Sequence, residues 1–313
     1  MTINRKKIET WLQEYGVLLA LILLCIVMTL STRNFATQTN IINVIRQVSI
    51  NGVLAMGMTF VVLTRGIDLS VGSLTALSGV FLALLLRDFG MPIPVVILGS
   101  VSLGMLMGAI SGYFVAYRNA PPFVVTLAMM TAARGLTFVL SNGRPISPLP
   151  SAYLVIGTGN ILGIPIPSII FIVLFIIGAL ILKYFRIGRY IYAVGGNEKA
   201  ALVSGISTKA VKLFVYVVSG FLCGVAAIIL TARVSAGLPQ AGTSYELDAI
   251  AATVIGGTSL SGGKGRLWGT LVGVLLIGVV NNGLDLLNVS SFYQQIVKGV
   301  IILGAVLIDS GRE

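Results

Sequence analysis

Long apolar runs follow one another along this chain with almost no charge inside them, and that pattern fixes the solvent before anything else. Charged residues are 10% and hydrophobic residues 56% of the 313, whereas a soluble domain carries about a quarter charged residues. The bilayer is therefore the expected medium. Backbone groups in hydrocarbon must be satisfied internally, which leaves helices or a closed barrel. Continuous runs rather than ten-residue alternations select helices. The expected fold is an all-α membrane protein.

Ten segments are read as crossings: 15–31, 41–64, 67–86, 91–117, 120–141, 165–182, 213–232, 247–262, 267–284 and 291–308. Each approaches the ~20 residues a spanning helix needs; the eighth is short and glycine-rich. The whole chain, 1–313, reads as one transmembrane domain. Residues 1–14, with Glu9, Trp11 and Glu14, form an interfacial or cytoplasmic lead-in, and 183–212 form the longest later polar interruption. Arg33 follows the first crossing with no small-residue cleavage site, so that crossing reads as a retained helix.

The net charge of +11 would suit a nucleic-acid partner, but its distribution explains it otherwise. With a cytoplasmic N-terminus, fourteen basic residues fall inside: Arg5, Lys6, Lys7, Arg65, Arg118, six between 183 and 212, Lys264, Arg266 and Arg312. Four fall outside: Arg33, Arg87, Arg144 and Arg233. Basic residues stay on the cytoplasmic side of a membrane protein, so topology accounts for the charge and no nucleic acid is expected. Arg46, Arg134 and Lys298 lie within crossings. An unpaired cation at mid-membrane costs roughly 2.5–3.5 kcal/mol on insertion scales. These three must snorkel, pair or face a wet cavity, with Asp68, Glu246 and Asp248 as available partners.

Several chemistries drop out. There is no histidine, and Cys25 and Cys223 each sit in an apolar run, so neither a metal cluster nor a disulfide framework is expected. The stretch 257–265 looks like a phosphate loop. However, Thr258 stands where the first glycine belongs and Gly265 where a magnesium-binding Ser or Thr is required. The run Gly99, Gly104, Gly108, Gly112 and the set Gly269, Gly273, Gly278 let backbones approach closely, either within the chain or along a dimer seam. Gly66-Ile67-Asp68-Leu69 faintly echoes Tyr245-Glu246-Leu247-Asp248, which suggests two five-helix pseudo-repeats.

Within 183–212, Asn197 is a good N-cap, Glu198 suits the positive end of a helix, and Gly205 suits its left-handed termination. About two turns over 198–204 are expected, roughly 10 Å long. So short a helix is unstable alone and needs a surface to dock on.

The pattern Glu198-Lys199-Ala200-Ala201…Gly205 resembles the coupling loop of ABC importer permeases. Three further stretches extend the likeness: 66–73 (Gly-Ile-Asp-Leu-Ser-Val-Gly-Ser), 245–252 with 256–263, and 281–284 with 290–295. Together they resemble the monosaccharide permeases of such importers, and among them the ribose type, over about residues 41–308. The tail Ile-x-Leu-Pro of the longer loop motif is missing, as in the sugar-permease branch. The resemblance implies a multi-pass permease of the cell inner membrane that works as a dimer, with no cofactor of its own. A separate ATP-binding subunit holding ATP and magnesium would contact Gly195, Gly196, Asn197, Glu198, Lys199, Ala200, Ala201 and Gly205. A periplasmic or extracellular sugar-binding protein would sit on the opposite face, where the proline-rich loop from Asn142 to Pro167 offers a platform, and lipid would surround the whole.

A monosaccharide, ribose or a related sugar, needs hydrogen-bonding groups along its route. Asn51, Thr59, Asp68, Ser70, Ser73, Thr126, Asn281, Asn282, Tyr293 and Gln294 are the candidates, each of them equally suited to interhelical bonding. The rival reading is an ion-coupled secondary transporter of a small polar solute, for which Asp68 is the one good carboxylate. An integral-membrane enzyme fits less well, for want of histidine or paired carboxylates.

Overall fold

A computed structural model describes residues 5–310, with side chains described from Gly16 onward except at the extreme C-terminal end. Arg312 lies outside the described residues, as do the side chains of Glu9, Trp11 and Glu14. Among the described residues there are thirteen helices: α1 (Arg5–Ser31), α2 (Gln38–Leu63), α3 (Val71–Arg87), α4 (Ile93–Tyr117), α5 (Pro122–Ser141), α6 (Ser151–Thr158), α7 (Ile166–Tyr184), α8 (Arg186–Gly196), α9 (Glu198–Val203), α10 (Thr208–Val234), α11 (Tyr245–Ile255), α12 (Leu267–Leu286) and α13 (Ser291–Ser310). Six of them, α2, α4, α5, α7, α10 and α12, are long and apolar enough to cross a membrane. The chain is an all-α membrane protein, with one two-stranded hairpin, β1 (Asn160–Ile161) and β2 (Ile164–Pro165).

Helix α2 is the axis of the bundle, buried along its whole length from Val48 to Leu63. Small residues make this possible: Gly57 lies against the backbone of Ser219 on α10, where a Cβ would come within 3.2 Å. Around α2 pack α10, α7, α11 and α12, while α4 and α5 lie outside α10 and α3. The glycine run on α4 is used inside the chain. Gly104 and Gly108 meet the backbone of Tyr216 and Gly220 on α10, and Gly112 meets Leu213 and Tyr216. Gly269, Gly273 and Gly278 likewise meet Gly256, Ala252 and Val48 of the same chain.

The structure departs from the sequence reading in four places. The lead-in and first crossing form one continuous helix, α1. The eighth segment, read over 247–262, ends as a helix at Ile255, because Gly256 and Gly257 follow and Gly257 takes a positive φ of 85°. Its eleven residues span about 16 Å, half the ~30 Å hydrocarbon thickness. The polar loop contains a second helix, α8, which buries Gly188, Ile191 and Val194 on one side. Finally, the proline-rich loop is a folded cap. Its α6 buries Tyr153, whose hydroxyl donates to the Ile228 carbonyl at 2.8 Å, and Ile146 pairs with Gly237 through two backbone bonds. A second apolar cluster, including Leu149, Tyr153 and Ile228, fills this end. The bundle thus has an α9 end and a hairpin end.

Candidate functional site

Three backbone stretches meet at the α9 end without a side chain between them. Gly195, in the last turn of α8, sits where a Cβ would run into the Leu63 carbonyl oxygen of α2 and come within 2.6 Å of the Gly263 nitrogen. The Gly263 amide donates to that same Leu63 carbonyl at 3.0 Å. Arg65, just past α2, donates to the Gly195 carbonyl at 2.6 Å and to the Gly196 carbonyl at 2.8 Å. These are carbonyls that the end of α8 leaves unsatisfied, so a cation there serves both bonding and dipole. Tyr192 adds a bond to the Gly265 carbonyl at 3.0 Å. Burial raises its phenol above the usual range while Arg266 pulls it the other way.

From this joint α9 projects. The Asn197 side chain accepts from the Ala200 amide at 3.0 Å, as a cap should. Glu198 pairs with Lys212 on α10 at 2.7 Å, and Gly205 takes a φ of 81°. Ala201 is buried, but Leu202 is 62% and Val203 89% exposed. The short helix is therefore fastened on one face and presents an apolar pair on the other. Asn197→Ala is expected to cost about 1 kcal/mol of α9 stability. Faster hydrogen exchange of the 200–203 amides, by roughly fivefold, is the measurement that checks it.

Two non-helical stretches run into the bundle, one from each end. Residues 64–70 are non-helical and carry Asp68 in beside the middle of α10. Its buried carboxylate accepts from the Ser70 amide at 3.0 Å, from the Ser70 hydroxyl, and from the Ser219 hydroxyl at 2.7 Å. Thr126 of α5 donates to the adjacent Ile67 carbonyl at 3.2 Å and Tyr216 at 3.3 Å. The second stretch, 235–244, comes down from the hairpin end along α3. Gly237 lies against Gly79 and Val80, and Gly242 against Gly72. At its foot α11 begins. The starts of α3 and α11 therefore abut at Gly72 and Gly242, and the two echoing tetrapeptides of the sequence lie at these two starts.

The cations within crossings all find partners. Arg134 of α5 donates to the Pro239 and Ala241 carbonyls at 2.7 and 2.8 Å. Arg46 reaches the Thr158 carbonyl at 2.7 Å and Asn160 at 3.1 Å. Lys298 of α13 pairs with Asp248 of α11 at 3.0 Å, and the Asn281 amide of α12 approaches the same carboxylate oxygen at 3.3 Å.

The remaining route candidates fall into separate groups. Thr59 joins Thr270 at 2.8 Å and Thr253 at 3.4 Å, tying α2, α12 and α11. Asn282 and Asn40 exchange amide bonds at 2.8 and 2.9 Å. Asn51 and Ser73 are buried, whereas Tyr293 is exposed and Gln294 bonds Asp285 at 2.8 Å. The sequence reading missed Arg65, Tyr192, Ser219 and the 235–244 segment. The last had a signal: Ser235, Gly237, Pro239, Gly242 and Ser244 stand between two apolar helices. Among the described residues no group of three or more Cys, Asp or Glu stands close enough together to hold a metal.

Six helices long and apolar enough to cross a membrane, two non-helical stretches folded in among them and a small docked helix at one end are the architecture of a multi-pass membrane protein. The chain belongs to the family described as branched-chain amino acid transport system / permease component, which it matches over residues 40–306. It is 48% identical to the ribose import permease protein RbsC of Haemophilus influenzae, across 97% of this chain and 95% of that protein. With RbsC of Bacillus subtilis the identity is 49%, across 95% and 93%. The xylose transport system permease protein XylH of Haemophilus influenzae is 36% identical across 96% and 97%. No solved structure matches the chain.

Proposed function

We propose that this chain is the permease subunit of an ATP-driven importer that carries a monosaccharide, ribose or a related sugar, across the cell inner membrane. The observation that carries the proposal is near-full-length identity of 46–49% to ribose import permeases from three organisms. The single transmembrane domain crosses ten times: six long helices, together with α1, α3, α13 and the broken crossing 235–255. The facing starts of α3 and α11 favour two five-helix repeats. The fourteen-to-four distribution of basic residues supports a cytoplasmic N-terminus and α9 end.

A separate ATP-binding subunit, with its own ATP and magnesium, docks on α9. Residues 196–200 and Gly205 form that contact, with Gly195 and Ala201 buried beneath it and Leu202 and Val203 free to enter a partner's surface. A sugar-binding protein delivers from the hairpin end, and a second permease copy completes the path. The chain itself performs no covalent chemistry. Nucleotide closes the ATPases, α9 moves with them, and the bundle shifts between two states that nucleotide favours unequally.

The test is uptake into sealed vesicles holding the permease, its ATPase and its binding protein. Radiolabelled ribose should accumulate only with ATP inside the ATPase compartment. Accumulation by the permease alone under a proton or sodium gradient overturns the reading in favour of an ion-coupled carrier.

A further inference from the structure

The exposed surface along the long helices is of the kind lipid accepts: Ile22, Leu23 and Ile26 on α1, Leu98 and Leu106 on α4, Ile176 on α7. The interrupted crossing is different. Gln240 and Thr243 are exposed on it, and Ser244 and Glu246 are half-exposed. Their depth follows from neighbours already placed: the segment descends from Gly79 to Gly72 of α3, between the hairpin end and the middle of the bundle. Irregular backbone at that depth is tolerated where it is buried in protein or lines a water-filled cavity, and not against lipid. This segment is buried on its α3 side and open on the other. Polar side chains on the open side carry the same requirement, because hydrocarbon offers them no hydrogen bonds.

We propose that Gln240 and Thr243 line the sugar's route at the middle of the bundle, in a wet cleft that a second copy of this chain closes, and that Arg134 is the residue that positions them. The proposal rests on the importer reading above and gives it a wall. A monosaccharide presents hydroxyls that both donate and accept. The Gln240 amide can answer either way. The Thr243 hydroxyl donates to the Gln240 carbonyl at 2.7 Å, which leaves its oxygen as an acceptor facing outward. Arg134 holds the carbonyls on both sides of Gln240, those of Pro239 and Ala241. The rung bearing Gln240 is thus held by the Arg134 guanidinium, by Thr243 and by a turn bond from the Ala241 amide to the Leu238 carbonyl at 3.1 Å, rather than by a helix or sheet. Glu246, whose carboxylate attracts the same guanidinium, lies beside Gly72 at the foot of the segment. Two adaptable polar groups suit passage better than a tight cage, since a sugar held firmly there would leave slowly.

The experiment uses the complete importer in vesicles, with Cys25→Ser and Cys223→Ala removing the native thiols. Gln240→Cys and Thr243→Cys are compared with Val139→Cys, an exposed apolar position on α5. A charged, membrane-impermeant methanethiosulfonate should label positions 240 and 243 at least tenfold faster than 139. Ribose during turnover should slow that labelling several-fold, and labelling should block uptake. Labelling at the control rate, with ATP-driven uptake intact, overturns this proposal and leaves the importer reading standing. Rapid labelling in an importer whose unlabelled parent carries no monosaccharide overturns the importer reading, and the sugar as occupant with it. Arg134→Lys keeps the charge but not the two-carbonyl reach. It should change both the Thr243→Cys labelling rate and the ratio of ribose to xylose uptake by threefold or more at unchanged membrane levels; if neither moves, Arg134 does not position the wall.

Discussion

Lys298→Ala is expected to destabilise the bundle by about 3–5 kcal/mol, the usual result of stranding one partner of a buried ion pair. The pair qualifies as buried: the Lys298 side chain is 17% and that of Asp248 4% exposed. What remains around Asp248 is the Asn281 amide at 3.3 Å, too little to replace a cation. The effect should be local in origin, because α13 packs on α11 and shows the opposite face, with Phe292, Ile296, Val300 and Leu303, to the outside. Losing the lysine removes the ion pair that ties α13 to α11. The diagnostic is the double variant Lys298→Met with Asp248→Asn, which removes both charges and should recover most of the loss, as buried pairs often tolerate apolar replacement. Thermal unfolding in detergent measures all three proteins. Equal losses in the single and double variants would mean that shape rather than charge holds α13.

Gly195→Ala and Gly196→Ala should differ sharply although the residues are neighbours. At Gly195 a Cβ meets the Leu63 carbonyl and the Gly263 nitrogen, both backbone atoms that no rotamer change can move. Overpacking of this kind costs about 1–3 kcal/mol, and relieving it separates α8 from α2 and breaks the Arg65 and Gly263 bonds. At Gly196 nothing lies within 4 Å of the added carbon. Uptake should fall by more than tenfold in the first variant and stay within about twofold in the second. Similar uptake by both would show that the joint under α9 does not carry force.

Much of this was legible in the residues because the bilayer leaves few choices. Apolar run length gave the long helices, and Asn197 with Gly205 gave the limits of α9, since capping is local chemistry. The short helix α11 was harder. Hydropathy averages over 247–262 and does not register that Gly256 and Gly257 end the helix after Ile255. The partners of Arg134, Arg46 and Lys298 lie far along the chain, and a backbone carbonyl acceptor leaves no mark in a sequence. For the same reason Asp68 stood out as a lone carboxylate beside an apolar run while its partner Ser219, one serine among many, did not. Helix α8 was in principle readable from Ile187, Ile191 and Val194 at helical spacing, but its arginines and glycines made 183–196 look like plain loop.

The glycine-to-glycine seam between α4 and α10 has a mechanical consequence. Two rods that touch spine to spine over Gly104, Gly108 and Gly220 have no side chains to slide or compress, so they travel as one stiff plank. Any rocking of the subunit must then be absorbed by its two unwound knees, 64–70 and 235–244. A stiffening change there, such as proline in place of Leu69, should stall the stroke even with every contact to sugar and to nucleotide partner intact.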